Sequence, residues 1–77
     1  MNQRYFGKRV KLARNDRGFT GDELSELCGI NSSYLRQIEA GNKVPSLSVF
    51  LELCKNLKVT PNYLLAETLT ELEIPNT

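Results

Sequence analysis

Gly29-Ile30-Asn31 lies between two short apolar-periodic segments, and this junction narrows the fold more than any other feature of the chain. Helices that short are marginal alone in water, so each must be held by packing against a shared core. Glycine at the junction permits an abrupt change of direction. Ile30 can pin the junction to the core, and Asn31 is a good N-cap for the segment that follows.

The first segment opens at Thr20. Thr20-Gly21-Asp22-Glu23 fits a capping box, with the Thr20 hydroxyl taking the amide of Glu23 and Glu23 reaching back. Leu24, Leu27 and Cys28 supply its apolar side. The second runs from Asn31 to Gly41. At about 100° per residue, Asn31, Tyr34, Leu35 and Ile38 cluster on one side. Ser32, Ser33, Arg36, Gln37 and Ala40 share the other, with Glu39 near the boundary.

Three more helices are predicted. One runs from about Gln3 to Arg17, with Phe6, Val10 and Ala13 at helical spacing and Gly18 as its stop. Another is capped by Ser46 and reaches about Leu57. Its stripe of Leu47, Phe50, Leu51, Cys54 and Leu57 predicts the most buried helix of the set. The last opens at Thr60 with Pro61 in its first turn and carries Tyr63, Leu64 and Leu65. Leu65, Leu69 and Leu72 keep helical spacing, which predicts a further turn or two toward Glu73, and Pro75 ends it. No segment reads as a strand. The expectation is an all-α domain of five helices.

The bulk properties remove several classes of function. A chain of 77 residues holds one domain and one small core. Its longest apolar runs, Val49-Phe50-Leu51 and Tyr63-Leu64-Leu65-Ala66, fall far short of the roughly 18 residues that cross a membrane. The N-terminus leads into a basic amphipathic segment, not an apolar signal core, so a soluble cytoplasmic protein is expected. Cys28 and Cys54 sit among apolar neighbours, without a CxxC or any histidine to complete a metal site. They read as small core residues, with a disulfide between them as the alternative. No metal or cofactor is expected. An enzyme is disfavoured, because there is no histidine and no pair of acids in a recognisable pocket motif.

The net charge is only +1, but its distribution is uneven. Residues 1–17 hold Arg4, Lys8, Arg9, Lys11, Arg14 and Arg17 against Asp16 alone. Residues 18–77 hold four basic and eight acidic residues, ending in Glu67, Glu71 and Glu73. A local positive field is compatible with that pattern, and so is an ordinary solvated helix face.

Two short helices joined through Gly29-Ile30-Asn31 match a helix-turn-helix. The second helix packs with half its circumference and keeps the other half for something else. A bare helix of that width fits the major groove of B-form DNA.

The ordered pieces Phe19-Thr20-Gly21, Gly29-Ile30-Asn31, Ile38-Glu39-Ala40-Gly41, Pro45-Ser46 and Lys58-Val59-Thr60…Leu64-Leu65 carry a resemblance. From Phe6 to Leu65, about 60 of 77 residues, the chain resembles the Cro/C1-type (XRE-type, lambda repressor-like) helix-turn-helix family. That resemblance implies a compact five-helix domain whose third helix reads DNA bases, commonly as a symmetric dimer on a palindromic site. The base-reading places fall on Ser32, Ser33 and Gln37, with Arg36 beside them. The chemistry agrees, since arginine suits guanine and glutamine suits adenine. Phosphate contacts are expected from helix N-termini and adjoining loops: Thr20 and Gly21, Tyr34 through its hydroxyl, Asn42 and Lys43, and Ser46. Arg4, Lys8 and Lys11 are lesser candidates on the first helix. Arg14 is implied to pair with Glu39 as a structural ion pair. Gly21 departs from the family, which commonly places a glutamine there to touch a phosphate and brace the reading helix.

One reading helix spans few base pairs, so a homodimer is expected. Tyr63, Leu65, Leu69, Leu72 and Ile74 exceed what a small fifth helix needs for the core, and they are the candidate dimer interface. The competing reading has the tail folded over its own core or frayed. The expected organisation is therefore a DNA-binding domain over residues 1–66 and a tail over 67–77. The expected function is a transcriptional regulator of repressor or controller type, with double-stranded DNA and a second copy as partners. No small-molecule partner is expected. The rival from another class is a protein-interaction module that keeps the fold without binding DNA.

Overall fold

The computed structural model describes residues 2–66, which form five α-helices in chain order. They are α1 (Gln3–Asp16), α2 (Gly21–Cys28), α3 (Ser32–Glu39), α4 (Leu47–Leu57) and α5 (Pro61–Leu64). No strand occurs among the described residues. Leu69, Leu72 and Ile74 of the expected interface, and the expected continuation of the fifth helix, lie outside them.

Each helix opens on a polar side chain that accepts a backbone amide of its first turn. The caps are Asn2, Thr20, Asn31, Ser46 and Thr60. Such a cap stabilises a short helix by about 1 kcal/mol, which matters where few residues pack. Four of the helices close in the same way. After α2, the Gly29 amide donates to the Glu26 carbonyl and the Ile30 amide to the Ser25 carbonyl. The same two-bond closure follows α1 at Gly18 and Phe19, α3 at Gly41 and Asn42, and α4 at Lys58 and Val59. The closing residue takes a positive φ each time. It is a glycine in three cases and Lys58, with φ 56°, in the fourth.

α1 packs on α3, α4 and α5, and α2 packs on α3 and α4. Phe6, Val10, Leu24, Leu35, Ile38, Leu53, Leu57 and Leu64 form the solvent-free centre. Asn56 fastens α2 to α4, its side-chain amide lying against the Glu52 and Leu27 carbonyls and Cys28 Sγ. Arg17 Nε donates to the Leu57 carbonyl at 3.0 Å, tying the end of α1 to the end of α4. Both cysteines are free and buried, and burial raises both thiol pKa values.

Two apolar stripes differ from the expectation. Leu27 on α2 is half exposed, and the inward position belongs to Ser25. Ser25 tolerates burial because its hydroxyl donates to the Asp22 carbonyl one turn back. On α4, Leu47 and Leu51 face outward, at 73% and 51% exposure, while Leu53 is fully buried. The inward direction of α4 is set by α1, α2 and α5, and it runs through Leu53, Cys54 and Leu57. Leu47 and Leu51 fall to one side of that line.

Candidate nucleic-acid interface

α3 is aimed from both ends. At its start, the Tyr34 amide donates to Asn31 Oδ1 at 2.8 Å, and Ile30 is packed against the core. At its end, the Asn42 and Lys43 amides both donate to the Gln37 carbonyl, at 2.9 and 3.3 Å. The α3–α4 loop is thereby folded back against the helix it follows. Below, only Leu35 and Ile38 of α3 are buried.

The support beneath α3 comes chiefly from α1. A Cβ on Gly7 would run into the carbonyl oxygens of Ile38 and Glu39, so only glycine allows the two backbones this approach. Arg14 sits one flank away. Its Nε donates to Glu39 Oε2 at 2.7 Å, its Nη2 to Glu39 Oε1 at 3.1 Å, and its Nη1 to the Phe19 carbonyl at 3.0 Å. The two side chains are 13% and 9% exposed, so the fork is largely shielded from water. The hydrogen bonds to Glu39 raise the Arg14 pKa above its ordinary value, and the guanidinium stays charged. One arginine thus joins α1, α3 and the entry to α2.

The outer side of α3 presents Ser33, Arg36 and Gln37, all exposed, with Ser32 half buried beside them. The side chains of Ser33, Arg36 and Gln37 have no hydrogen-bond or ion-pair partner among the described residues. A cleft beside this face is lined by Thr20, Gly21, Ser32, Arg36 and, from the acidic side, Asp22. It brings the N-terminus of α2 next to the α3 face. The Thr20 hydroxyl accepts from the Glu23 amide at 3.1 Å, while the Thr20 amide donates to Glu23 Oε1 at 2.8 Å. The capping box therefore engages this amide. Nothing lies within 4 Å of where a Gly21 Cβ would stand, and the backbone there does not call for glycine.

Beyond the other end of α3, Asn42, Lys43 and Ser46 are all exposed. Lys43 Nζ lies 6.0 Å from the centroid of the half-buried Tyr34 ring. The Ser46 hydroxyl accepts from the Val49 amide and meets Ser48 Oγ at 3.3 Å. Ser32, Ser33, Arg36 and Gln37 thus share one surface with Thr20 and Gly21 on one side and Asn42 and Lys43 on the other. Tyr63 and Leu65 lie elsewhere. Both are half buried against the core, and the Arg9 guanidinium stands 5.1 Å over the Tyr63 ring.

Two residues that position α3 were not anticipated. Gly7 is the more important, and a glycine inside a helix that otherwise favours good helix formers was its signal. Arg4 is the other. It packs against Gly41, where a Cβ would stand 3.0 Å from the Arg4 Cα.

Two short capped helices at a glycine corner, the second with a bare polar face, define a helix-turn-helix of the DNA-binding kind. Residues 7–69 match the family model described as a helix-turn-helix domain, and the chain belongs to the Cro/C1-type helix-turn-helix family. It is 32% identical over 72 residues to the HTH-type transcriptional regulator RamB of Mycobacterium tuberculosis. That match takes in 94% of this chain and only 15% of RamB. Among solved structures, the restriction-modification controller protein C.AhdI from Aeromonas hydrophila superposes with a TM-score of 0.76 at 31% identity. It covers 80% of this chain and 94% of its own. The clp gene regulator ClgR from Corynebacterium glutamicum gives 0.81 at 27% identity, over 87% of this chain and 86% of its own. All three are described as regulators or controllers, and none as an enzyme. No helix among the described residues is long and apolar enough to cross a membrane.

Proposed function

We propose that the chain is a cytoplasmic, sequence-specific regulator of transcription that lays α3 in the major groove of double-stranded DNA. The observation that carries this reading is the division of α3. Two of its side chains hold the core, while Ser33, Arg36 and Gln37 stand bare. Arg36 reads guanine and Gln37 adenine by paired hydrogen bonds, and Ser32 and Ser33 add short contacts. Thr20, Gly21, Tyr34, Asn42, Lys43 and Ser46 hold the phosphates on either side. Two copies bind a palindromic site through a two-fold contact involving Tyr63, Leu65 and the tail residues Leu69, Leu72 and Ile74. The role is that of a repressor or a controller. Abundance and self-association set its occupancy.

The test is selection of bound duplexes from a random pool. Arg36→Ala and Gln37→Ala each relax preference at particular positions, by about 1–3 kcal/mol per lost paired contact. Lys43→Ala weakens all sequences alike and lowers the salt dependence. Unchanged preference in both α3 variants would remove α3 from the reading role.

A second reading, a protein-interaction module without DNA binding, is favoured by one observation. The N-terminus of α2 offers Gly21 with Asp22 and Glu23 beside it, and acids there repel phosphate. Salt-dependent binding to a duplex separates the two readings.

A further inference from the structure

We propose that the outer face of α1 docks on the outer face of α2 in a second copy of this chain, joining copies head to tail. This goes beyond the DNA-binding reading and uses none of the residues proposed there for bases, phosphates or the two-fold contact.

Two leucines outside the core carry the argument. Leu12 on α1 is 55% exposed and Leu27 on α2 is 50% exposed. Each follows two charged residues, four positions and one position back, at the same spacing and with opposite sign. Lys8 and Lys11 precede Leu12, while Glu23 and Glu26 precede Leu27. The residue four back lies one turn away on the same side of a helix, so each leucine borders a patch of a single charge. All four charged residues are exposed.

The surroundings extend both patches. Lys8, Lys11, Leu12 and Asn15 line a shallow groove on α1. Lys8 also borders Arg4 and the exposed Tyr5, its Nζ 6.0 Å from the Tyr5 ring centroid. Asp16, the one acid of α1, lines a different groove with Arg17. On the other patch, the Asn56 side-chain amide lies 3.5 Å from the Leu27 carbonyl and 3.3 Å from Glu52 Oε1, which brings a third carboxylate to the edge. Glu23 gives Oε1 to the Thr20 amide and, as a carboxylate, keeps acceptor capacity on its other oxygen.

Each patch points away from the core that its helix shares with α3 and α4, so the two meet only across copies. Leucine then covers leucine, and lysines face glutamates. The apolar Leu12 among the lysines suits a protein surface better than a phosphate backbone. Because the patches differ, the contact is heterologous, and a copy can give one face to each of two neighbours. One leucine and a few charges a side are far fewer than the roughly 20–30 residues of a standard stable interface, so the association is weak and salt-sensitive.

Amide NMR on the full chain tests this. Raising the chain concentration at low salt is expected to shift the amides around Leu12 and around Leu27 together, and added salt is expected to reverse both shifts. Lys11→Glu and Glu26→Lys each change an exposed residue, should keep the helical spectrum, and are expected to weaken the association about tenfold or more. Combined in one chain, the two reversals are expected to restore it. Shifts at neither face, or at one alone, overturn the proposal. So does association unchanged in both single variants, or a combined reversal that restores nothing. Duplex binding measured on the same samples keeps the two ideas apart. If Lys11→Glu weakens duplex binding and leaves the association intact, the α1 face belongs to DNA and the proposal falls. An unaltered chain that associates without binding any duplex counts only against the DNA reading.

Discussion

α3 and α4 each bury one side and leave the other bare, and their bare sides have opposite chemistry. On α3 the outward residues are Ser33, Arg36 and Gln37. On α4 they include Leu47 and Leu51. Polar groups left bare on an aimed helix suit a hydrated, charged polymer. Leucines left bare suit another apolar surface. The domain is therefore two-sided in surface chemistry, and the two sides can be broken separately.

The largest effects should come from the inward residues. Ile38→Ala on α3 and Leu53→Ala on α4 are both fully buried truncations and should each cost about 2–5 kcal/mol in urea unfolding. Leu47→Ala should change stability by about 0.5 kcal/mol or less, as surface changes do. A Leu47→Ala loss as large as that of Leu53→Ala would erase the distinction drawn on α4. Next comes the brace under α3. Glu39→Ala leaves Arg14 shielded and without its carboxylate, and should cost about 3 kcal/mol. Adding Arg14→Ala should cost little more, and a double-mutant cycle measures that coupling.

Smaller effects sharpen the comparison at the helix ends. α3 closes on Gly41 and α4 on Lys58, and a side chain in the left-handed region costs about 1–2 kcal/mol. Lys58→Gly should therefore raise the unfolding midpoint, by up to about 1 kcal/mol in stability. The smallest effect is alkaline. Burial raises the Cys28 and Cys54 thiol pKa values above the ordinary 9.0, so the folded chain keeps these protons to higher pH. That contribution is complete below 9.0 and is lost as pH rises through the folded values. A Cys28→Ala, Cys54→Ala variant should show a flatter decline in stability on the alkaline side.

The same contrast explains what could be read in advance. The corners were legible because Thr20, Asn31, Ser46 and Thr60 are short polar residues that satisfy amides locally, with no tertiary help. α3 was legible because its outward residues are polar, so apolar spacing alone found its inward side. α4 misled because it is apolar on two sides, and spacing cannot say which side the neighbours cover. Ser25 misled for the opposite reason, being a polar residue satisfied within its own helix. The contact of Gly7 with the end of α3 was illegible, since it depends on two backbones meeting across 31 residues of chain.

That backbone contact has a consequence for how such a domain can change. α3 is seated by the bare backbone at Gly7, by Arg14 below, and by Leu35 and Ile38. None of these is an outward residue. Ser33, Arg36 and Gln37 can be exchanged without disturbing the seat, so the surface proposed to read DNA is an interchangeable part on a fixed mount. On the proposed reading, new sequence preferences are open to the domain at little risk to its folding.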